Sequence, residues 1–584
     1  MRKFHYISLL FLSAFTAVSA QTQTKDTVVT RNVTVEREYV PVVKNAGKIN
    51  STPQSIEPKE IRLEAEYSDL NLPLPIGSNI HTLPSARLFR QIKPVKDGYA
   101  QIGLGTYPNT LVDFAYPLVK KSDMQLDFTL NHRGAFGRKL YTKSQANLLF
   151  DKQFEVVDFY AGLYGGHDYF KYYGSIFDRN GGEIEDVNSV TSLQYEETGV
   201  DFVNEDRKAK TVYLDNDAET FLKTGIFLGL RSKEEPYEWH YGAKVAYDLF
   251  NSHFHGINEH IVGLDGNLSL PFDDDRMGVD LSYRSMIYDA AAPLNMKNAH
   301  MTLSLNPYYD LMRNEKWYLR LGMNATFSFA NDQVIFPSPD IRFDWKIVPE
   351  WVAMYGGLTG SYTLNNFNKI FNENPYLFTD TRVEDTYSPF AFFAGFKIKP
   401  FNNFLVDLYV NYRYLNNQYF FVNKKYAAKQ VPNISANDTV YNNQFDVVYS
   451  EAMHFKSGIR LSYNYQNRLN LQFKGAYNGW DVYTEDKAWN LPAWEMDFSA
   501  GFNVTDELAF SFNLFYEGDR YAKLGTQAFL MDPKVDVNIG ASYVYLDWLS
   551  FFARVNNLLN NKYQNFYGYE AQGLNVMVGA SLSF

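Results

Sequence analysis

There is no cysteine in the 584 residues, which excludes disulfides, thiolate metal centres and a lipid-bearing cysteine at a mature N-terminus. Beyond the first twenty residues the chain also lacks any uninterrupted apolar run of about 18 residues, so membrane-spanning helices are excluded. It has no His-Glu-x-x-His, no phosphate-cradling glycine loop and no thiol nucleophile, and it is read as a non-enzyme with no cofactor and no metal. A net charge of -11 argues against a nucleic-acid partner. No repeat of about 40 residues is visible, which removes the signature of a soluble propeller.

What the chain has in quantity is aromatic residues. Tyr (44) and Phe (46) are abundant and aromatics reach 17%, while charge is 21% and mean hydropathy is -0.33. Strands that alternate an apolar side chain with a polar one, ringed by aromatic girdles, average to this composition. The alternation is plainest at the end. Leu574, Val576, Val578, Ala580, Leu582 and Phe584 share one side of an extended segment, and Asn575, Met577, Gly579, Ser581 and Ser583 share the other. The same two-residue period runs through Leu319–Ser328, Phe390–Ile398, Val406–Tyr414 and Leu469–Tyr477.

Connections between these segments alternate in length. Short ones, such as Lys120–Asp123, Asp273–Arg276 and Gln466–Arg468, are interleaved with long ones at Asp168–Ala218, Asn365–Tyr387, Asn416–Gln444, Asn478–Pro492, Gly518–Pro533 and Asn557–Gly573. Short periplasmic turns and long outer loops have this rhythm. The expectation is an all-β chain forming a transmembrane antiparallel β-barrel of about 22 strands, in the range 20 to 24. The predicted divisions are a signal peptide over residues 1–20, a Pro-containing periplasmic or lumenal segment over 21–98, and an outer-membrane barrel over 99–584. Both termini are expected in the periplasm, with membrane lipid and lipopolysaccharide around the barrel.

The stretch Ala553-Arg554-Val555-Asn556-Asn557-Leu558-Leu559-Asn560-Asn561-Lys562-Tyr563, then Gly568-Tyr569, Gly573 and a last strand ending in Phe584, resembles the C-terminal end of TonB-dependent receptors. The likeness is specific over roughly the last 35 residues and a matter of pattern before them. Leu574 follows Gly573 where those receptors often carry an Arg. Such receptors fill their barrels with a plug domain of well over a hundred residues, and only about 75 residues stand between the predicted cleavage site and the first strand. The resemblance therefore implies a plugless or reduced relative, of a kind found in Bacteroides-like Gram-negative outer membranes. Its lumen would be closed by the Pro-containing segment, infolded loops or a partner chain. Asp26-Thr27-Val28-Val29-Thr30 resembles a TonB box, which would add a strand to the periplasmic energy-coupling protein.

The functional expectation is transport or passage of a solute across the outer membrane. The alternatives are a non-transporting structural or assembly subunit of an outer-membrane complex and a general porin. A TonB-type coupling protein, a surface lipoprotein or barrel-assembly machinery are the partners these readings imply. Arg320, Asp407, Arg413, Arg460, Lys474 and Arg554 fall on the non-lipid face, and their mixed signs suit paired interior charges better than a single-sign filter. His253, His255, Glu259 and His260 are close enough in sequence to suggest a surface metal site, but a solvated loop is the simpler reading. Asp273–Asp275 reads as a hydrophilic turn, and the aromatics of Asp168–Tyr173 and Tyr563–Tyr569 as girdle or as a loop lid.

Overall fold

A computed structural model describes residues 96–584, except 138, 179, 184–192, 195–210, 213–217, 234–238, 254–255, 274, 289–298, 314–315, 330–333, 379–380, 382, 428–438 and 467. The predicted signal peptide, nearly all of the 21–98 segment and the candidate TonB box Asp26–Thr30 lie outside the described residues.

Twenty-two strands form one closed antiparallel barrel. They are β1 Tyr99–Gly105, β2 Asn109–Lys120, β3 Met124–Ala135, β4 Tyr141–Gln153, β5 Val157–Lys171, β6 Ala218–Ser232, β7 His240–Ser252, β8 Ile257–Phe272, β9 Asp275–Tyr288, β10 Ala299–Arg313 and β11 Trp317–Ser328. The second half comprises β12 Ile335–Val348, β13 Val352–Thr363, β14 Thr386–Phe401, β15 Phe404–Ala427, β16 Thr439–Tyr465, β17 Leu469–Val482, β18 Trp494–Asn503, β19 Leu508–Gly518, β20 Lys534–Leu546, β21 Leu549–Asn556 and β22 Asn575–Ser583. Each strand pairs with its sequence neighbours, and β22 closes the circle on β1 from Tyr99↔Ser583 to Gly105↔Met577.

Closure is finished by the last residue. Phe584 and Gly98 exchange both backbone bonds, at 2.7 and 3.0 Å. The Phe584 ring stacks on Tyr116 with centroids 5.8 Å apart. Facing inward across the seam, Gln101 Nε2 donates to Ser581 Oγ at 3.0 Å. Gly579 is needed there because a Cβ would stand 2.2 Å from the Ile102 carbonyl oxygen and 2.4 Å from the Phe552 ring. Along β22, Val576, Val578 and Leu582 are exposed while Asn575, Met577, Ser581 and Ser583 are buried, which is the pleat expressed as burial.

The two ends of the barrel differ. At one end the turns are short, and exposed aromatics ring it: Phe154, Trp239, Phe272, Trp317, Trp345, Trp351, Phe401 and Trp548. Amphipathic rings in such a belt suit a membrane–water boundary. At the other end lie the long connections and the one described α-helix, α1 Phe367–Glu373.

One expectation needs correction. Asn416–Gln444 reads as a long loop in the sequence, yet β15 continues through it to Ala427 and β16 resumes at Thr439, pairing Gln418↔Ser450 through Ala427↔Thr439. Bulges between Leu415 and Gln418 and between Asn423 and Lys425 break the two-residue period. That break hides the strand from a periodicity reading. Within Asp168–Ala218, β5 continues to Lys171, and the described residues beyond it make short pairings, among them Leu193–Gln194 with Thr211–Val212 and Phe177–Asp178 with β16.

A charge on the lipid-facing side has no partner in hydrocarbon. Val578→Lys, near the middle of β22, should destabilise the barrel by about 2–4 kcal/mol, whereas Ser581→Ala on the inner side should cost under about 1 kcal/mol. Denaturant unfolding in vesicles followed by Trp fluorescence checks both, and equal effects would refute the facing of the last strand.

Candidate gate and lumen

The loop end of the barrel carries a second hydrophobic core, separate from the lipid-facing surface. The sequence Asn366-Phe367-Asn368-Lys369-Ile370-Phe371 explains its centre. Asn366 caps the helix by accepting the Lys369 backbone N–H at 2.7 Å. Phe367, Ile370 and Phe371, at i, i+3 and i+4, then share one face and are all buried.

That face packs against strands from around the barrel mouth. Phe371 meets Phe221 of β6 and Phe250 of β7 at ring distances of 5.0 and 5.9 Å. Phe367 meets Tyr288 of β9 edge-on at 5.6 Å. Tyr376, just past the helix, stacks on Tyr569 of the last loop at 3.6 Å. Phe566 of that loop reaches Phe421 of β15 and Phe445 of β16 at 5.9 and 5.4 Å. Strands and loops far apart in sequence are thus joined over the mouth by one aromatic cluster, hereafter the cap.

Polar contacts fix the cap at both ends. At its neck, Asn365 Nδ2 donates to the Glu384 carbonyl at 2.8 Å and to Thr386 Oγ1 at 2.9 Å. The Asn365 N–H also reaches Asp385 Oδ1 at 3.1 Å. At its tip, the Phe367 N–H donates to Glu259 Oε2 at 2.7 Å, and Tyr419 OH donates to Glu373 Oε2 at 2.6 Å. Backbone bonds tie Phe378 N to Phe445 O and Phe445 N to Tyr376 O, at 2.8 and 2.9 Å. Burial pushes the carboxyls of Glu373 and Asp385 up to about 7, because an ionised carboxylate there gives up water for few donors. Burial also lowers the Lys369 ammonium.

The upper part of β15 and β16 is a wall of the cap. Tyr419 and Phe421 point to the helix side. Phe420 and Val422 point the other way, onto Trp489 of the 483–493 loop. The final loop is held by Arg520, 1% exposed, which donates to the carbonyls of Gln564 and Asn565 at 2.7 and 3.0 Å. Tyr563 OH donates to Asp536 at 2.7 Å.

Below the cap the inner wall is polar. Arg320 makes a two-point contact with Asp310 at 2.7 and 2.9 Å. Arg460 reaches Asp407 at 3.1 Å, and Tyr355 OH reaches the same carboxylate at 2.7 Å. Arg413 has a different partner: it donates to His454 Nδ1 at 2.9 Å, and His454 is in turn bonded to Asn478 Oδ1 at 3.1 Å. Arg554 is buried over the Phe552 ring at 4.7 Å. Lys474 is exposed, between Arg460 and Asp497 in register. These six residues therefore do not form one site but are spread around the lumen, with Arg320 and Arg460 in ion pairs.

The His-rich stretch is dispersed as well. Glu259 is spent on the helix N–H groups. His260 is bonded to Tyr247 OH at 2.8 Å, and His255 lies outside the described residues. No group of three metal-ligating side chains occurs among the described residues. In the acidic turn, Asp273 sits at φ 58° and Asp275 accepts Tyr309 OH at 2.9 Å, while Asp274 is not described.

No protein-family model matches the chain, and no curated protein matches it in sequence. Solved structures do. The pyoverdine outer membrane receptor FpvA from Pseudomonas aeruginosa superposes with a TM-score of 0.59 at 12% identity, covering 85% of this chain and 79% of that one. The ferric-catecholate import receptor Fiu from E. coli gives 0.58 at 10%, covering 84% and 82%. The copper transporter OprC gives 0.55 at 10%, covering 85% and 84%. The chain shares their fold. At such identities the likeness extends to architecture and no further.

The sequence reading missed the cap helix, although its signal was present. An Asn cap followed by apolar residues at i, i+3 and i+4 sits inside a stretch that otherwise reads as loop. Phe170 and Tyr172, and Phe566 and Tyr569, belong to the cap core rather than to the girdle.

Phe371→Ala should cost the cap about 3–5 kcal/mol and leave the barrel intact. Limited proteolysis should then cut within residues 364–385 at least about tenfold faster, with the heat-modifiable mobility of the barrel on gels unchanged. Loss of both together would show that cap and barrel are one cooperative unit.

Proposed function

We propose that this chain is an outer-membrane passage of a Gram-negative cell, a reduced relative of the TonB-dependent receptors whose outer mouth is gated by the cap rather than by a complete N-terminal plug. The observation that carries the reading is the cap itself. A 22-stranded barrel encloses a lumen wide enough to leak unless it is filled or covered. Here the loops from opposite sides of the mouth meet in a packed core, above walls lined with paired charges. A barrel serving only as a scaffold has no use for a polar lumen under a cover.

In this reading the short turns face the periplasm, both termini lie there, and the barrel stands in lipid and lipopolysaccharide. The Asp26–Thr30 segment adds a strand to a TonB-type coupling protein, whose pull supplies the energy for passage. The solved receptors and the copper transporter with the same fold support transport as the class of activity. No catalytic role is proposed.

The test has two arms. Replacing residues 366–384 with a short Gly-Ser linker should raise the swelling rate of proteoliposomes in small neutral solutes at least about tenfold, since the cap is removed and the barrel kept. In cells, deleting Gln21–Thr30 should abolish energised uptake while the barrel still folds. Unchanged flux in the first arm, with loss of a co-purifying protein, would overturn passage in favour of a structural or assembly role. Normal uptake in the second would remove energy coupling.

A further inference from the structure

Two acidic side chains of the cap stand out because a carboxylate is a poor occupant of an aromatic core. Glu373 is the last residue of the helix and is 5% exposed, two residues beyond the core ring of Phe371. Its described partner is the Tyr419 hydroxyl, with Lys369 one helical turn away. Asp385 closes the neck, where the Asn365 N–H and the Tyr362 hydroxyl donate to it. Both are on the segment between β13 and β14, which leaves the barrel wall and returns to it.

We propose that the cap is a proton-latched lid, held shut while Glu373 and Asp385 carry protons and loosened when they ionise in place. The geometry explains the coupling. Ionised Glu373 would be buried with one described hydroxyl donor, and lifting the helix from Tyr419 lets water reach it. Ionised Asp385 would repel Glu384 beside it, and hydration there would open the neck bonds of Asn365. A protonated carboxyl needs neither.

Other groups set the sign and size of the response. Lys369 favours the ionised forms of both acids. Protonated His300, whose Nε2 is 3.1 Å from Asp385, would do the same at acid pH and so opposes the latch on that side. Tyr288 and Tyr449 face the cluster from β9 and β16, and a phenol carries no charge below about pH 10. Glu259, from β8, caps the helix start. For an acid whose closed-state value is raised, the closed state keeps the proton longer. The latch is therefore complete below the ordinary value of 4.5 for Glu373 and is lost as pH rises through about 7. The change amounts to about tenfold in the closed-to-open ratio per pH unit per group within that window.

This regulation rests on the passage reading, but it is tested on the cap alone. The chain has no cysteine, so a single thiol at a buried cap position reports opening without background. Ile370→Cys is the probe, since Ile370 is 0% exposed. Thr526→Cys, at an exposed loop tip, corrects for thiol ionisation. With the full chain in vesicles and a water-soluble maleimide, the labelling rate of the Ile370→Cys variant is divided by that of the Thr526→Cys variant. This ratio should rise at least about tenfold from about pH 5.5 to about pH 8.5. Glu373→Gln together with Asp385→Asn should flatten the profile at its low, closed value. Heat-modifiable mobility verifies that each variant is folded. A ratio that does not change with pH when both acids are present overturns the proposal, as does a slope that survives the double substitution. A pH-responsive lid on a barrel that passes no solute would refute the passage reading and leave the lid standing.

Discussion

The constraint from which the rest follows is that a backbone in hydrocarbon has no water to bond with. Each N–H and C=O must be paired within the sheet, and a sheet satisfies that only when it has no edge. In this chain the condition is met by seven paired positions between the first and last strands and by the exchange between Gly98 and Phe584. The close packing at Gly579 belongs to the same requirement. A side chain there would push β22 off β1 and expose a row of unpaired groups to lipid.

Closing a sheet of this width creates a different problem, because the circumference that satisfies the backbone leaves a wide interior. The chain meets it with polar side chains that pair around the wall and with a second core at the loop end. That core is built by soluble-protein rules: a capped helix, an i, i+3, i+4 apolar face and crossed aromatic rings. The molecule therefore carries two hydrophobic systems with opposite orientation. On the barrel the apolar residues face out to lipid; in the cap they face in to one another. The buried acids sit in the second system, where a modest change in the cost of a charge is felt by a small unit and not by the whole barrel.

The barrel was legible in the sequence for a simple reason. Alternation sustained along whole strands is a long, regular signal, and the connections between strands kept their short-long order. Legibility failed where the period was broken. Two bulges concealed the upper half of the β15–β16 hairpin, so residues that are mostly strand looked like loop. It failed again at the cap, because the helical pattern of Phe367, Ile370 and Phe371 spans barely two turns and is surrounded by asparagines that read as turn residues. The individual partners were beyond reach. That Arg413 would meet His454 rather than a carboxylate, or that Glu259 would be used by a helix more than a hundred residues away, depends on register across the sheet. No local stretch of sequence contains that register.

The closing seam also sets the order of events during assembly. Because the strand that completes the circle is the last one made, no intermediate formed during synthesis can be an edgeless barrel. Until then one edge each of β1 and β21 is unmatched, and unmatched strands are templates for pairing with other chains. Contacts between segments so distant in sequence also form slowly, since the entropy of bringing them together must be met first. The finished barrel is protected by the bond between its two ends, and the unfinished sheet lacks it. An unfinished barrel is thus exposed to pairing with its own copies for as long as that final strand is missing.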